Sequence, residues 1–512
     1  MAEAGVKENI RFEGEIIKDA AALGSTLYFS QALYMVRGFI IARVLGPSSY
    51  GVWSIFRTVF NCAPFLGFGT QEALVREVPF SMGKGNHEQT PVIIQTSLSW
   101  NLLLSVSVSV AAFILSFTPL IREYNSEIRL AGLVFILNGI HLFMQPKLKS
   151  EKKIIFLSKY LLSYAVLNFI FGLAFLFSLE IHGLLLGMII SHLILFAFLL
   201  SKGHLSLNLS LNRKVLRRLL GIGFPIMVIT SLFYLMRNID KFIVITMLGK
   251  KVGGYYALAA FISSVVRYIS FSTSSVLLPR VMYTYGKTRN IKDLETYYIM
   301  PVTIFAGFVP VILGLIYLNV GAVINLFLPK YLPSVAAMQV LITGLYFTTI
   351  WGPPTNMLIA LNKQKGFMYI TGAVLLCGII SEVVVIKSGF GMIGAAAAAS
   401  SMFMLASFTA NFSALLLLKK NSRQILISLG SIYLPFIYSL AGLLAVSLIR
   451  VSVEPIVDSA VKSLFYFLFC IPIFLYTEKK SGIAGRILAA AKKFIRKKSM
   501  KLEGERSNGM ME

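Results

Sequence analysis

Long apolar runs separated by short polar segments make up most of the chain. About fourteen of these runs approach the 20 or so residues that an α-helix needs to cross the hydrocarbon core of a bilayer. They cover residues 20–43, 50–69, 92–118, 128–146, 155–178, 181–201, 219–247, 252–281, 298–319, 334–361, 366–387, 391–418, 425–450 and 456–476. The pattern predicts an all-α polytopic membrane protein with about 14 transmembrane helices. A short interfacial helix is expected in the mixed-charge stretch 7–19, which belongs to the predicted cytoplasmic N-terminal segment 1–19.

The positive charges of the loops predict the orientation of these helices. With the N-terminus in the cytoplasm, the inner segments hold roughly 33 Lys and Arg residues and the outer segments roughly nine, as the positive-inside rule requires. Residues 147–153, 202–218 and 477–512 carry dense basic clusters on the predicted inner side. We therefore predict a multi-pass protein of the cytoplasmic membrane with both termini in the cytoplasm.

An internal repeat predicts two lobes of the same topology. Residues 45–53 (LGPSSYGVW) and 248–256 (LGKKVGGYY) share a Leu-Gly pair, a glycine after four residues and an aromatic residue two positions later. Weaker matches relate residues 79–84 to 279–287. Transporters are commonly built from such repeats, with the substrate path between them. The predicted parts are an N-lobe at 20–201, a basic inter-lobe loop at 202–218, a C-lobe at 219–418, two further helices within 419–476 and a basic cytoplasmic tail at 477–512.

Composition excludes several classes of protein. The chain is 56% hydrophobic and 14% charged, whereas soluble proteins carry about 25% charged residues. The net charge of +26 does not indicate nucleic-acid binding, because the cations lie at the edges of apolar runs and in the tail. Cys62, Cys377 and Cys470 all lie inside apolar runs and form no metal-binding or disulfide pattern. We expect neither a metal nor a cofactor.

Ionisable residues inside the apolar runs form the candidate site. Each Arg or Lys at the centre of a spanning helix costs about 2.5–3.5 kcal/mol, so these side chains are expected to line water or to pair within the bundle. Cations outnumber acids, which predicts a cationic central cavity for an anionic substrate group. A guanidinium group suits phosphate because it can bind two oxygens at once. The candidate substrate-binding residues are Arg37, Arg57, Arg237, Lys241 and Arg267.

Two buried acids complete the candidate site. Asp240 and Glu382 are expected either to pair with the arginines or to bind a coupling cation. The repeat gives Arg37 and Asp240 equivalent positions, each eight residues before its Leu-Gly pair. The histidines of the apolar runs, His141, His182 and His192, are interpreted as packing residues.

Several segments resemble one family of membrane transporters. Residues 42–54 (ARVLGPSSYGVWS) and 66–77 (LGFGTQEALVRE) resemble the first segments of the oligosaccharide flippases, also called polysaccharide transporters. Residues 240–256 and 278–280 (LPR) resemble the corresponding segments of the second lobe. The family belongs to the multidrug/oligosaccharidyl-lipid/polysaccharide exporter superfamily. The resemblance implies two six-helix lobes with two further helices, and flipping of polyprenyl-diphosphate-linked oligosaccharide with the diphosphate in the cationic cavity.

The resemblance also suggests protein partners, and it leaves other functions open. By analogy, enzymes of polysaccharide assembly are the expected protein partners. One alternative is a cation-coupled multidrug antiporter of the same superfamily, although a cationic drug favours an acidic cavity. Another is a membrane-embedded polymerase or glycosyltransferase, which is disfavoured because the chain has four Asp residues, none spaced as a pair, and no long loop. The prediction is therefore a transporter and not an enzyme. Membrane potential, an ion gradient and downhill flow all remain open as the energy source.

Overall fold

The protein is built from α-helices. A computed structural model describes the backbone of residues 2–86, 88–206, 208–361, 363–449 and 454–482, and the side chains of most of them, the exceptions being residues 2–21, 83, 120–122, 264–280, 283, 286, 364 and 481. No strand occurs in these described ranges. The helices are α1 Ala2–Leu66, α2 Thr70–Gly83, α3 Gln89–Leu115, α4 Asn125–Ser150, α5 Ile154–Ser201, α6 Arg213–Met236, α7 Ile239–Thr288, α8 Glu295–Phe327, α9 Val335–Ile350, α10 Gly352–Ala360, α11 Gln364–Val385, α12 Gly391–Leu417, α13 Ser422–Ser447 and α14 Pro455–Ser481.

Ten helical stretches of the described chain are long and apolar enough to cross a membrane. The all-α membrane fold predicted from the sequence is therefore confirmed, and the count of fourteen spans stays a prediction. Three of the ten stretches are 45, 48 and 53 residues long, which is about twice the length that one crossing requires. Each contains a residue with positive φ near its middle: Gly46, Glu180 and Gly389 respectively.

Two predicted runs are interrupted in the structure. The run at 219–247 is not one helix, because α6 ends at Met236 and α7 begins at Ile239. At this break the side chain of Asn238 donates to the carbonyl of Tyr234 at 2.9 Å, and Asp240 accepts from the backbone N–H of Lys241 at 2.9 Å. Such local side-chain bonds compete with the helical ladder. The run at 334–361 breaks between α9 and α10, where two consecutive prolines remove backbone donors.

The two copies of the Leu-Gly motif have the same backbone conformation. Gly46 has φ 68° and ψ 174°, and Gly249 has φ 83° and ψ 171°. Glycine adopts such positive φ angles without the steric cost that other residues meet. The kinks lie 203 positions apart, which is the offset of the sequence repeat. The local part of the predicted repeat is thus present in the three-dimensional structure.

These two copies also pack against each other. A Cβ atom at Gly51 would lie 2.5 Å from the carbonyl oxygen of Lys250, and one at Gly254 would lie 1.7 Å from that of Pro47. The two contacts are equivalent under the offset of 203, as in an interface between symmetry-related copies. We call Pro47, Gly51, Lys250 and Gly254 the Leu-Gly contact. It exists only because both helices carry glycine where their backbones meet.

The chain divides into two compact units. The first comprises the described residues up to Val265, together with Phe327–Ala337 and Leu375–Ala398. Its core includes apolar side chains of α2 to α6, among them Leu74, Phe143, Leu157 and Leu219. Helix α2, which the sequence pattern did not predict, is tied to α3 by hydrogen bonds of Asn101 with Gln71 (2.8 Å) and Thr70 (3.0 Å).

The second unit comprises Val266–Leu326, Met338–Val374 and the described residues from Ala399 onward. Its core joins α8 to α13 and α14 through a cluster that includes Val311, Leu443 and Tyr466. The hydroxyl of Tyr466 donates to the carbonyl of Pro310 at 3.1 Å. Helices α13 and α14 are therefore an integral part of this unit's core.

Candidate functional site

Arg37 of α1 lies inside the first unit. Its side chain is 8% exposed, and its Nε and Nη2 atoms have no hydrogen-bond partner among the described residues. Helix α5 makes room for it with Gly172, where a Cβ atom would lie 2.6 Å from Nη2. Each unsatisfied buried donor costs about 1–3 kcal/mol, and more for a charged group. An acceptor such as a phosphate oxygen would remove this cost.

Arg57, also on α1, is a close electrostatic neighbour of Arg37. It is half-buried, and its guanidinium carbon lies 5.1 Å from the centre of the Phe261 ring, a cation–π contact. The nearby Tyr234 donates from its hydroxyl to the carbonyl of Thr58 at 2.8 Å. Neither arginine forms an ion pair with any described carboxylate. The structure thus brings two predicted cations together without neutralising them.

The remaining predicted cations are placed differently. Arg237 follows the end of α6 at the helix break, and its Nε is buried without a hydrogen-bond partner in the described chain. Lys241, at the start of α7, donates from Nζ to the side chain of Asn238 at 2.8 Å. Arg267 falls among the side chains that lie outside the described residues. The break between α6 and α7 therefore holds two of the five cations.

The acids Asp240 and Glu382 come together although 142 positions separate them. They are 4% and 0% exposed, and they interact electrostatically. Tyr256 donates its hydroxyl to Asp240 Oδ2 at 2.9 Å. Both carboxylate oxygens of Glu382 are buried without a hydrogen-bond partner among the described residues. A charge on one of these buried carboxylates disfavours a charge on the other, so the pair is suited to hold a proton or a cation.

Aromatic residues surround the Leu-Gly contact. Tyr331, in the 3-10 segment Pro329–Ser334, donates to the carbonyl of Ala42 at 2.9 Å. The rings of Tyr50 and Tyr255 each meet the Tyr331 ring edge-on, with centroids 6.0 Å away. The sequence pattern did not indicate a functional role for these residues. The repeat contained a signal for them, because Tyr50 and Tyr255 flank the glycines of the Leu-Gly contact.

An ion pair lies at the same end of these helices. Lys250 binds Glu123 of the 3-10 segment Pro119–Tyr124, and its Nζ lies 4.7 Å from the centre of the Tyr124 ring. The hydrogen bond from Lys250 lowers the pKa of Glu123, and the same bond raises the pKa of Lys250. Both groups are therefore charged at neutral pH. The pair is exposed, so solvent screens it.

One cavity of the first unit is apolar. It has a volume of about 390 Å³ and is lined by Phe68, Trp100, Leu220, Gly221, Phe224 and Pro225. None of the described candidate cations lines it. This cavity is consequently not the cationic cavity that the sequence predicts.

Comparison with known proteins gives the family. Residues 40–336, more than half of the chain, match the family described as Polysaccharide biosynthesis protein. The chain belongs to this family. A Shigella flexneri protein named for O-antigen transport is 25% identical over 355 residues, which cover 64% of this chain and 80% of that protein. The predicted resemblance to the polysaccharide transporters is confirmed.

Solved structures of membrane transporters share the fold of this family member. The lipid II flippase MurJ in an inward closed conformation superposes with a TM-score of 0.68 at 16% identity, covering 90% of this chain and 99% of MurJ. An inward-facing multidrug resistance transporter of the MATE family gives 0.63 at 17% identity, covering 77% and 96% of the two chains. At these identities the likeness concerns the fold alone. The relatives named here are transporters and a flippase, which agrees with the prediction of a transporter rather than an enzyme.

Proposed function

We propose that this protein flips polyprenyl-diphosphate-linked oligosaccharide, a precursor of polysaccharide or O-antigen, across the cytoplasmic membrane by alternating access. The observation that carries the proposal is the pair Arg37 and Arg57, two neighbouring guanidinium groups that no described carboxylate neutralises. Membership of the polysaccharide biosynthesis family and the likeness to a protein named for O-antigen transport support it. The fold shared with a lipid II flippase agrees with the same substrate class.

The diphosphate is the part of the substrate that these arginines would bind. Two like charges inside a membrane protein repel each other and lack the hydration that water would give them. A diphosphate supplies several negatively charged acceptor oxygens, which match the fork of a guanidinium group. Arg37 and Arg57 would therefore hold the diphosphate, while Arg237, Lys241 and Arg267 would contact the diphosphate or an anionic glycan along its path.

The Leu-Gly contact would serve as the outer gate. In the predicted topology the kinks at Gly46 and Gly249 face the outer side of the membrane. The glycine packing, the Tyr331 bond to Ala42 and the ion pair of Lys250 with Glu123 close this end. Release of the glycan to the outer leaflet would require these contacts to separate. The lipid tail would remain in the bilayer throughout.

The acid pair would bind the coupling ion. Asp240 and Glu382 are both buried and interact electrostatically. The carboxylate oxygens of Glu382 have no hydrogen-bond donor among the described residues. A proton or a monovalent cation bound there would relieve the repulsion between the two carboxylates. Asp240 lies next to the break between α6 and α7, where an ion can affect helix geometry. Polysaccharide assembly enzymes would supply the substrate and use the product.

The test is translocation of a fluorescent polyprenyl-diphosphate oligosaccharide in proteoliposomes. We expect flipping to collapse in Arg37→Ala, Arg57→Ala and Arg237→Ala. Arg37→Lys should restore part of the rate, because the charge remains and the two-pronged fork is lost. Arg76→Ala is the matched control, since Arg76 is an exposed cation on α2.

Two outcomes would change the proposal. Normal flipping in all three alanine variants would keep the function and remove the arginines from the site. No flipping of such lipids, with export of a cationic dye instead, would favour the second candidate, a cation-coupled multidrug antiporter. The buried pair of Asp240 and Glu382 is the observation that favours this candidate, because a cationic drug could replace the ion there.

A further inference from the structure

A polar stripe runs along one face of α5 in the first unit. Tyr160, Tyr164, Asn168 and Gly172 follow one another at intervals of four residues, which places them on one side of a helix. Asn168 lies near Tyr164, and its Oδ1 is buried without a hydrogen-bond partner among the described residues. Gly172 faces Arg37. The stripe thus leads from a tyrosine pair to the proposed diphosphate site.

Two buried imidazoles pack against the tyrosine end of this stripe. His141 of α4 is 5% exposed, and His192, in the second part of α5, is 3% exposed. Their ring centroids are 5.5 Å apart. The ring of Tyr164 lies 4.0 Å from that of His141 and 4.9 Å from that of His192. One tyrosine therefore contacts both imidazoles.

The hydrogen bonds define which nitrogen of His192 can accept a proton. Nδ1 of His192 lies 2.6 Å from the carbonyl oxygen of Met188, so Nδ1 must carry a hydrogen. In the neutral ring, Nε2 then carries a lone pair, and this atom is buried without a hydrogen-bond partner in the described chain. Nδ1 of His141 is already engaged with the Tyr160 hydroxyl at 2.8 Å. Packing alone does not require a free basic nitrogen inside the protein.

We propose that His141 and His192 form a one-proton site, and that its occupancy is coupled to the binding of an anionic group at Arg37. The coupling rests on the proposed function, in which this anionic group is the diphosphate of the substrate. A proton from solvent would bond to Nε2 of His192, no bond in the protein would break, and the charge of the pair would rise from 0 to +1. A second proton is disfavoured, because two imidazolium rings 5.5 Å apart would repel each other.

The sign of the coupling follows from the groups that face the pair. These are Tyr160 and Tyr164 from α5 and, beyond Tyr164, the guanidinium of Arg37 from α1. The faces of the tyrosine rings attract a cation, whereas Arg37 repels one. A diphosphate at Arg37 would neutralise that repulsion, so protonation of the pair becomes more favourable once the anion is bound. By reciprocity, protonation of the pair strengthens binding of the anion by the same factor.

Calorimetric titration with farnesyl diphosphate, a short polyprenyl diphosphate, tests this coupling on the full-length protein in detergent. Measurements in two buffers of different ionisation enthalpy give the number of protons taken up on binding. His141→Asn with His192→Asn removes both basic nitrogens, while an Asn amide at position 192 can still donate to Met188. Any proton uptake that remains in this double variant comes from the ligand itself and not from the histidine pair. His182→Gln is the control, because it replaces an exposed imidazole outside the pair.

We expect the wild type and His182→Gln to take up more protons than the double variant, by a difference approaching one. In nitrogen NMR spectra of the wild type, the imidazole signals of one of its five histidines should shift to the positions of a protonated ring when the ligand is added. Binding with no such difference, and no histidine signal that moves, would overturn the inference and leave the diphosphate site intact. No binding of farnesyl diphosphate by the wild type would instead overturn the diphosphate site, and the coupling with it.

Discussion

Replacing Gly254 by alanine should open the Leu-Gly contact. The new Cβ atom would lie 1.7 Å from the carbonyl oxygen of Pro47, whereas real Cβ contacts essentially never fall below 3.0 Å. The two backbone segments would therefore have to move apart by at least 1.3 Å. Overpacking of this kind costs about 1–3 kcal/mol. If the cost falls on the closed state alone, the ratio of open to closed molecules rises by about 5- to 150-fold.

Labelling of a buried cysteine measures this ratio. Ala42 is 0% exposed beneath Tyr331, and alanine to cysteine is a small change. In a background without Cys62, Cys377 and Cys470, the labelling rate of Ala42→Cys by a membrane-impermeant maleimide follows the population that is open to the outside. We expect Gly254→Ala to raise this rate by a factor in the range given above.

Two further variants make the prediction quantitative. Gly51→Ala should raise the rate less, because its Cβ would lie 2.5 Å from the nearest atom and needs a smaller displacement. Gly372→Ala on α11 is the matched control, since a Cβ atom there would meet nothing within 4 Å. If Gly254→Ala labels no faster than Gly372→Ala, glycine packing does not hold this end of the helices closed.

Two more predictions concern charged groups. Glu382→Gln removes one of the two buried acids. Flipping by this variant should no longer depend on an imposed sodium or proton gradient, whereas farnesyl diphosphate should still bind. Glu88→Gln changes an exposed acid and is the control, and gradient dependence equal to that of this control would contradict the role of the acid pair. Lys250→Glu places two acids side by side, so labelling of Ala42→Cys should become faster, by less than in Gly254→Ala because solvent screens the pair. Adding Glu123→Lys should restore the slow rate, and a double variant as fast as the single one would show that the ion pair does not contribute to closure.

The apolar pattern was sufficient to predict the class of fold. Runs of about 20 apolar residues have few alternatives to a membrane helix, because lipid offers no partner for backbone polar groups. The repeat marked two equivalent segments, and the structure shows the same kink in both, at Gly46 and Gly249, because only glycine tolerates these backbone angles. The candidate charges followed from the high cost of ionised groups in a bilayer. Each of these inferences depends on a short stretch of sequence.

Other features depended on local competition that the apolar pattern does not reveal. The run at 219–247 reads as one span, yet Asn238 and Asp240 turn their side chains to nearby backbone groups and the helix breaks between Met236 and Ile239. The apolar pattern did not predict helix α2, because the apolar content of this helix is low. Its place is fixed by buried hydrogen bonds to Asn101, about thirty positions away.

The sequence alone established a helical membrane protein with costly charges inside its apolar runs, because both properties follow from transfer of each segment into lipid. Which of these charges meet depends on how the helices pack in three dimensions. The fold places Arg57 within electrostatic reach of Arg37 and Asp240 within electrostatic reach of Glu382, and it brings Tyr331 to Ala42 across 289 positions. A pairing in space requires two helices to approach each other closely. That approach is set by small residues such as Gly51, Gly172 and Gly254, whose effect appears only when both partners are in place.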